Sequence, residues 1–233
     1  MNNSIQKQSE AVIEVLQNYQ SMASVIPESF LETVPYIFDF TESNLELAEI
    51  DLNDAEDFSN YIADTIAKNG CIYGMGGYGE NRILYRRSSL FASEAEPRSI
   101  HLGVDLWLPV GTPIFAPLEA RTHSFQDNHA FGDYGGTIIL EHNIDNVIFY
   151  TLYGHMSRAS LDSLRVGQKI EAGQQIASVG NYEENGNWPS HLHFEIITNL
   201  LGKYGDFPGV ASATEKDYYL TICPDPNLIL RIN

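Results

Sequence analysis

Short β-rich runs separated by glycines fill the second half of the chain and limit the fold it can adopt. Between about residues 100 and 197 they include TIILEH, NVIFYTLY, QKIEA and QQIASVG, which are residues 137–142, 146–153, 168–172 and 174–180. Glycines punctuate this stretch at Gly111, Gly135, Gly136, Gly154, Gly167, Gly173 and Gly180. Short strands at this spacing are typical of antiparallel sandwiches and open barrels. We therefore predict a mainly β protein, α+β overall, built on an antiparallel β-sandwich or open barrel.

The first third of the chain has a different texture, with two helical patterns. Residues 8–26 place apolar side chains at helical spacing, and residues 54–69 do so again. Asp54 can cap the second helix and Gly70 can end it. The glycine-rich GMGGYGE, residues 74–80, lacks the spacing of a nucleotide-binding loop and predicts a turn.

Composition divides the chain into three predicted parts. They are an acidic, helix-containing N-terminal region, a β domain and a C-terminal tail packed on it, at residues 1–95, 96–200 and 201–233. The formal net charge is -18, and residues 1–70 hold 13 acidic side chains against Lys7 and Lys68. Because phosphate recognition needs Lys and Arg, nucleic acid and anionic membrane surfaces are poor candidate partners.

The cysteines and the first residues of the chain give indications of the cellular compartment of the protein. Cys71 and Cys223 lack the spacing of a thiolate zinc site, so we predict two free thiols. The first twenty residues contain no apolar run of signal-peptide length, and no later window is long enough to span a bilayer. As written, the chain is expected to be soluble with no visible export signal, which would make it cytoplasmic, but the sequence leaves its true location open. The sequence leaves the oligomeric state open.

The segment SHLHFEI, residues 190–196, carries two histidines in a strand-like run. Residues two apart in a strand share a face, so His191 and His193 point one way while Leu192 and Phe194 point the other. Two imidazoles one strand step apart can share one metal ion, or divide the roles of ligand and proton carrier. The spacing does not decide which histidine takes which role.

A second motif, HLGVD, offers a histidine and a carboxylate at residues 101–105. His101, Gly103 and Asp105 share one face of a strand. Full extension would separate the outer Cα atoms by about 13 Å, too far for two side chains to meet on one ion. We therefore expect the backbone to bend at Gly103 if both bind the same metal.

The third motif, TLYGHMS at residues 151–157, places His155 after a glycine at the end of an apolar strand. A loop or rim histidine is well placed to act as a base. Two imidazoles and one carboxylate suit zinc, and three protein ligands leave the fourth position for a water nucleophile. The two remaining histidines then move protons or hold the oxyanion. The other histidines sit in polar turns or strand ends and are predicted to lie on the surface: His123, His129 and His142.

The order HLGVD, YGHMS and HLHFE resembles the lysostaphin/LytM-type zinc metalloendopeptidases, and the resemblance covers roughly residues 98–198. It implies a compact antiparallel β domain with a groove across one sheet. It implies hydrolysis of peptide bonds in peptidoglycan stem or cross-link peptides by a zinc-bound water. By position, it assigns one zinc ion to His101, Asp105 and His193, and the catalytic pair to His155 and His191.

A narrower resemblance runs from about Tyr36 to the C-terminus, towards the subgroup found fused to aminotransferase and phosphotransferase-like domains. The chain departs from the common family pattern at residues 119–121 and 185–190. Trp188 in the second segment, and Tyr153, are candidate residues of the substrate groove.

The sequence leaves several alternatives open. The chain can be a non-catalytic member that binds cell wall or activates another hydrolase, although all five site positions are filled. It can also hydrolyse a cytosolic peptide-like substrate, since the family usually acts in the periplasm or outside the cell. The acidic N-terminal region can be a structural part or an inhibitory segment that covers the groove.

Overall fold

The computed structural model describes residues 3–92 and 96–232. The α-helices of these residues are α1 (Asn3–Asn18), α2 (Glu28–Leu31), α3 (Ala55–Lys68), α4 (Ser89–Ala92), α5 (Lys216–Ile222) and α6 (Asn227–Leu230). The strands are β1 (Tyr36–Phe38), β2 (Gly74–Gly76), β3 (Arg98–His101), β4 (Val104–Trp107), β5 (Pro113–Phe115), β6 (Ala120–Asn128), β7 (Gly135–Ile144), β8 (Val147–Met156), β9 (Lys169–Ile170), β10 (Gln175–Ser178), β11 (His191–Ile197) and β12 (Val210–Ser212). Short 3₁₀ turns lie at Leu45–Glu49, Leu84–Arg87 and Arg158–Leu161.

One large sheet organises the molecule. Its eight strands run in the order β1-β2-β4-β11-β8-β7-β6-β9, and two small sheets pair β10 with β5 and β12 with β3. Within the large sheet, β1 and β2 are parallel and every other neighbouring pair is antiparallel. The prediction of a mainly β protein is confirmed, although β1 and β2 come from the acidic N-terminal region.

The longest hairpin, β7–β8, shows how local sequence sets the register. Ile144 pairs with Val147 across a two-residue turn, and both turn residues, Asp145 and Asn146, have positive φ. A type I′ turn requires positive φ at both positions and favours Asn and Asp there. The turn fixes alternate residues of β8 towards the core.

The first helix is shorter than its apolar pattern predicts. It ends at Asn18, and the following residues enter tertiary hydrogen bonds instead. Ala23 N donates to Pro117 O at 2.8 Å, and Phe115 N donates to Val25 O at 2.9 Å. The helix predicted at 54–69 forms as α3, where the Asp54 side chain accepts from the amides of the first turn.

The interpretation of GMGGYGE as a turn is wrong for its first three residues, which form β2 beside β4. Its glycines make room for large neighbours. A Cβ on Gly74 would lie 2.4 Å from the Phe38 ring, and one on Gly76 would lie 2.6 Å from Arg82 Nη2. The glycines therefore serve close packing within a strand, a use that the sequence pattern does not distinguish from a turn.

The two cysteines are free thiols, Cys71 half-buried and Cys223 buried, as predicted. Among the helices at residues 3–92 and 96–232, all are too short or too polar to cross a bilayer.

Candidate active site

The HLGVD motif bends as its spacing requires. Strand β3 ends at His101 and β4 begins at Val104, so the extended backbone is interrupted before Asp105. Gly103 lies at this break, where a Cβ would stand 2.6 Å from His193 Cε1 and 2.7 Å from Phe194 O. Glycine is therefore needed at this position for the turn between β3 and β4 to approach β11.

The bend brings two histidines and one carboxylate together. His101 Nε2 lies 3.0 Å from His193 Nδ1 and 3.2 Å from Asp105 Oδ1, and His193 Nδ1 lies 3.0 Å from the same oxygen. All three residues are buried and form a group able to hold a metal ion. Ligand atoms about 2.0 Å from a tetrahedral zinc ion are separated by about 3.3 Å, so both the donor set and its spacing fit zinc.

Burial and charge set the protonation of this cluster. Burial opposes the charge on Asp105, but His101 and Arg82 outweigh it and hold the pKa of the carboxyl well below its usual range. Burial, assisted by Arg82, lowers the pKa of His101 to about 4. Burial disfavours a charge on His193 as well, but hydrogen bonds to Asp105 and Glu195 raise its pKa to about 9. Asp105 is therefore ionised and His101 neutral, the forms that bind metal.

His155 is held in a strained conformation at the rim of the sheet. Its φ is 67°, in the left-handed region that side chains other than glycine rarely adopt. His155 N donates to Tyr134 O at 2.8 Å, and His155 O accepts from Gly180 N at 2.9 Å. Its ring Nδ1 donates to Asn185 O at 2.9 Å, which leaves Nε2 as the basic nitrogen.

His191 lies between His155 and the cluster. Its ring centre is 4.1 Å from that of His155, and its Nε2 is 3.8 Å from Asp105 Oδ1. Nδ1 donates to Pro189 O at 2.7 Å, and the ring stacks on Trp107 at 4.3 Å. Burial lowers the pKa of His191 to about 4 and that of His155 well below its usual value. Both imidazoles are therefore neutral at pH 7.

The segment 185–190 supplies the backbone oxygens that accept from His155 Nδ1 and His191 Nδ1. Asn185 closes it, because its side chain accepts from Trp188 N and donates to Trp188 O, each at 3.0 Å. Gly186 and Asn187 within the turn both have positive φ. The turn thus fixes the tautomers of His155 and His191 from the backbone.

A cavity of about 170 Å³ opens beside the cluster. Asp105, His155, His191 and His193 line it, and so does Trp188, a predicted groove residue. The other predicted groove residue, Tyr153, has no exposed surface and packs against Phe194 in the core. Tyr153 pairs with Phe194 across β8 and β11, so it lies on the core face of the sheet, opposite His191 and His193.

The prediction of three surface histidines is wrong for one of them. His129 is exposed and His123 is half-buried, but His142 is fully buried in β7. Its Nδ1 donates to Glu119 O at 3.0 Å, and its Nε2 accepts from the Thr151 hydroxyl at 2.8 Å. Two good hydrogen bonds remove the cost of burying the ring.

Two charged residues at the cluster were not predicted from the sequence. Glu195 is fully buried, with Oε2 at 3.6 Å from His193 Nε2, and burial raises its pKa. Its two-residue step from His193 was a usable signal, because alternation places it on the histidine face. Arg82 donates to Asp105 Oδ2 from 23 residues away, and nothing local in YGENRILY indicates this contact.

The fold and the cluster define a class of protein. A β protein that gathers a His-Asp-His group beside two neutral histidines has the side chains of a mononuclear metallohydrolase. Residues 99–204 match the model of peptidase family M23. The chain is 35% identical over 86 residues to Lipoprotein NlpD of Yersinia enterocolitica, covering 37% of this chain and 77% of that protein. The chain belongs to peptidase family M23.

Other relatives are longer proteins. The chain is 28% identical over 102 residues to Peptidoglycan DD-endopeptidase ShyA of Vibrio cholerae serotype O1, covering 42% of this chain and only 20% of that protein. It spans 25% and 33% of two further curated relatives. A zinc containing peptidase from Vibrio cholerae, solved by crystallography, is 27% identical with a TM-score of 0.34, covering 42% of this chain and 27% of that one.

Proposed function

We propose that this chain is a zinc-dependent metalloendopeptidase that hydrolyses peptide bonds in peptidoglycan stem or cross-link peptides. The convergence of five side chains carries the proposal. The ligand atoms of His101, Asp105 and His193 lie within 3.2 Å of one another, and the neutral rings of His155 and His191 stand beside them. Membership of the family and the likeness to a named peptidoglycan endopeptidase support the same conclusion.

The proposed ligands present one defined atom each. They are His101 Nε2, Asp105 Oδ1 and His193 Nδ1, and three protein ligands would leave room for water or substrate on the ion. A zinc ion bound there would act as a Lewis acid on the scissile carbonyl and lower the pKa of the attacking water.

Proton transfer falls to the two remaining histidines. Each holds its Nδ1 proton on a backbone carbonyl, so each presents an unprotonated Nε2 at neutral pH. His191 Nε2 is the nearer of the two to the ligands, 3.8 Å from Asp105 Oδ1, and His155 lines the cavity. We assign this pair to taking the proton of the water and delivering it to the leaving amine.

The cavity walls bear on the substrate. The aromatic side chains of Tyr85, Phe91, Trp188 and Phe207 line the cavity, and charged residues line it too: Arg98, Asp133, Lys203 and Asp206. Apolar walls with a few placed polar groups suit a short peptide segment. Trp188 is the proposed groove residue beside the scissile bond, since its ring centre lies 6.4 Å from that of His155.

A cleavage screen tests the proposal. Zinc-loaded protein would be incubated with cross-linked muropeptides, D-amino-acid dipeptides and glycine-rich peptides, and the products identified by mass spectrometry. We expect cleavage of a peptidoglycan peptide by the wild type, none above background by His155→Ala, and normal cleavage by His129→Ala. Zinc binding without cleavage of any of these substrates would contradict the proposal and favour a cytosolic peptide-like substrate or a non-catalytic member.

A further inference from the structure

Two of the three proposed ligands are held by a segment that precedes the family match. The match begins at residue 99, whereas this segment runs from Gly77 to Tyr85. Gly77 O accepts from His101 Nδ1 at 2.8 Å, which leaves Nε2 for the cluster. Arg82 donates to Asp105 Oδ2, which leaves Oδ1 for the cluster. These contacts cross the predicted boundary between the N-terminal region and the β domain.

Arg82 uses its whole guanidinium in this arrangement. The side chain is only 1% exposed, and its Nε donates to Glu80 Oε2 at 2.7 Å. Nη1 donates to Asp105 Oδ2 and also to the Tyr85 hydroxyl at 3.3 Å, while Nη2 donates to Gly77 O at 3.2 Å. A planar fork can meet all these acceptors at once, and the compact ammonium of lysine cannot.

Packing fixes the position of this guanidinium. It lies 5.2 Å over the ring of Phe40, whose backbone amide donates to the other oxygen of Glu80 at 3.0 Å. The absence of a side chain at Gly76 provides the space for Nη2. A buried cation costs free energy unless it is paired and hydrogen-bonded, and here every direction is met by an acceptor or an aromatic face.

The consequence falls on Asp105. A carboxylate can bind a metal through one oxygen or two. With Oδ2 engaged by Arg82, only Oδ1 faces His101 Nε2 and His193 Nδ1, at 3.2 and 3.0 Å. Metal sites generally need hydrogen-bond partners that orient the ligand side chains.

We propose that Arg82 is a positioning residue of the metal centre, which holds Asp105 as a one-oxygen ligand, and that residues 77–85 are part of that centre. This inference rests on the proposed metal site. Arg82 acts through Asp105 and takes no part in proton transfer.

A simple charge effect makes the opposite prediction. A guanidinium beside the site repels a divalent cation, so charge alone predicts tighter metal binding in Arg82→Met and unchanged binding in Arg82→Lys. Orientation predicts weaker binding in both variants, because neither can hold Asp105, Glu80 and Gly77 O together. The two variants thus separate the two effects.

The experiment uses the metal alone as its probe. Zinc affinity would be measured on the full chain by competition with a chelator, and the visible spectrum of the Co²⁺-loaded protein would be recorded. We expect a loss of about 10- to 100-fold in affinity for Arg82→Met and Arg82→Lys. In Arg82→Met we also expect a weaker Co²⁺ band, because a two-oxygen carboxylate raises the coordination number. Arg158→Met is the matched control, since this arginine is 51% exposed and pairs with Asp127 at 3.0 Å.

Folding is checked on the metal-free proteins by circular dichroism. If both Arg82 variants fail to fold, Glu80→Gln replaces the charged acceptor of Nε with a neutral amide and leaves the guanidinium in place. Glu80→Gln should bind zinc more weakly than the wild type, by less than tenfold. Wild-type affinity in the folded variants, or tighter binding in Arg82→Met, overturns the role of Arg82 and leaves the proposed function standing. A wild type that binds neither zinc nor cobalt overturns both.

Discussion

Buried histidines occur in two regions of this sheet, and the partners of their ring nitrogens differ. His142 in β7 stacks on Phe149 at 4.9 Å, and both of its nitrogens are engaged, by Glu119 O and the Thr151 hydroxyl. In the cluster, His101 and His191 each tie one nitrogen to a backbone carbonyl and direct the other towards Asp105. Burial lowers the pKa of all three to about 4.

Burial and a lowered pKa therefore do not by themselves mark a functional histidine. What separates the two regions is convergence. His142 lies apart from the other histidines, and both of its ring nitrogens are hydrogen-bonded. In the cluster, several histidines direct a basic nitrogen towards one carboxylate beside a cavity. A histidine in a functional site keeps one ring nitrogen available for a metal ion or a proton, whereas a structural histidine has both nitrogens hydrogen-bonded within the protein.

Removal of the metal should produce the largest difference between the two regions. We expect a chelator to abolish peptide cleavage and added zinc to restore it. Zinc at 100-fold over its Kd adds about 2.7 kcal/mol of stability, a rise of roughly 5–10 °C in Tm for a chain of this size. The Tm with and without zinc measures this. His142→Gln should keep the shift and Asp105→Asn should lose it; a shift that survives in Asp105→Asn contradicts the proposed site.

His155→Ala should reduce kcat by about 10²- to 10⁴-fold, the range for loss of a positioned acid or base. Zinc affinity should stay near that of the wild type, since His155 is not among the proposed ligands. Steady-state kinetics on a muropeptide, with zinc content measured in parallel, checks both. His142→Gln is the comparison from the other region and should leave kcat within about twofold. Equal losses of kcat in His155→Ala and His142→Gln would contradict a special role for His155.

The sequence predicted those parts of the site that depend on local spacing. Alternation placed His191 and His193 on one face, and the distance across HLGVD required the bend that Gly103 provides. The glycine-punctuated runs predicted β7 to β10, because strands and turns are largely local.

Long-range contacts account for what the sequence did not predict. Residues 19–26 have a helical pattern but bond to residues 115–117, so tertiary hydrogen bonds outweigh propensity there. In the sequence His142 stands at the polar end of a predicted strand, and only the fold shows that its ring Nδ1 donates to the Glu119 carbonyl. The contact of Arg82 with Asp105 could not be predicted for the same reason, since Asp105 follows 23 residues later.

His142 should contribute to acid sensitivity by about 3 kcal/mol. Its pKa is about 4 in the folded protein, where burial keeps it neutral, against about 6.5 when unfolded. Between these values the unfolded chain binds a proton that the folded chain does not. Stability is therefore full above about pH 6.5 and falls as the pH drops towards 4. Denaturant unfolding of the wild type and His142→Gln from pH 7 to pH 4 tests this. The wild type should lose about 3 kcal/mol more than the variant, and parallel pH profiles would contradict it.

The smallest effect is expected at His129, which belongs to neither buried region. Its side chain is exposed, and its Nδ1 lies 3.4 Å from Asp127 O, a long contact in water. Replacement of such a side chain changes stability by less than about 0.5 kcal/mol. His129→Ala should therefore match the wild type in unfolding free energy and in zinc affinity. An altered zinc affinity in this variant would mean that metal binding extends beyond the His101, Asp105 and His193 cluster, because an exposed histidine would then be a ligand.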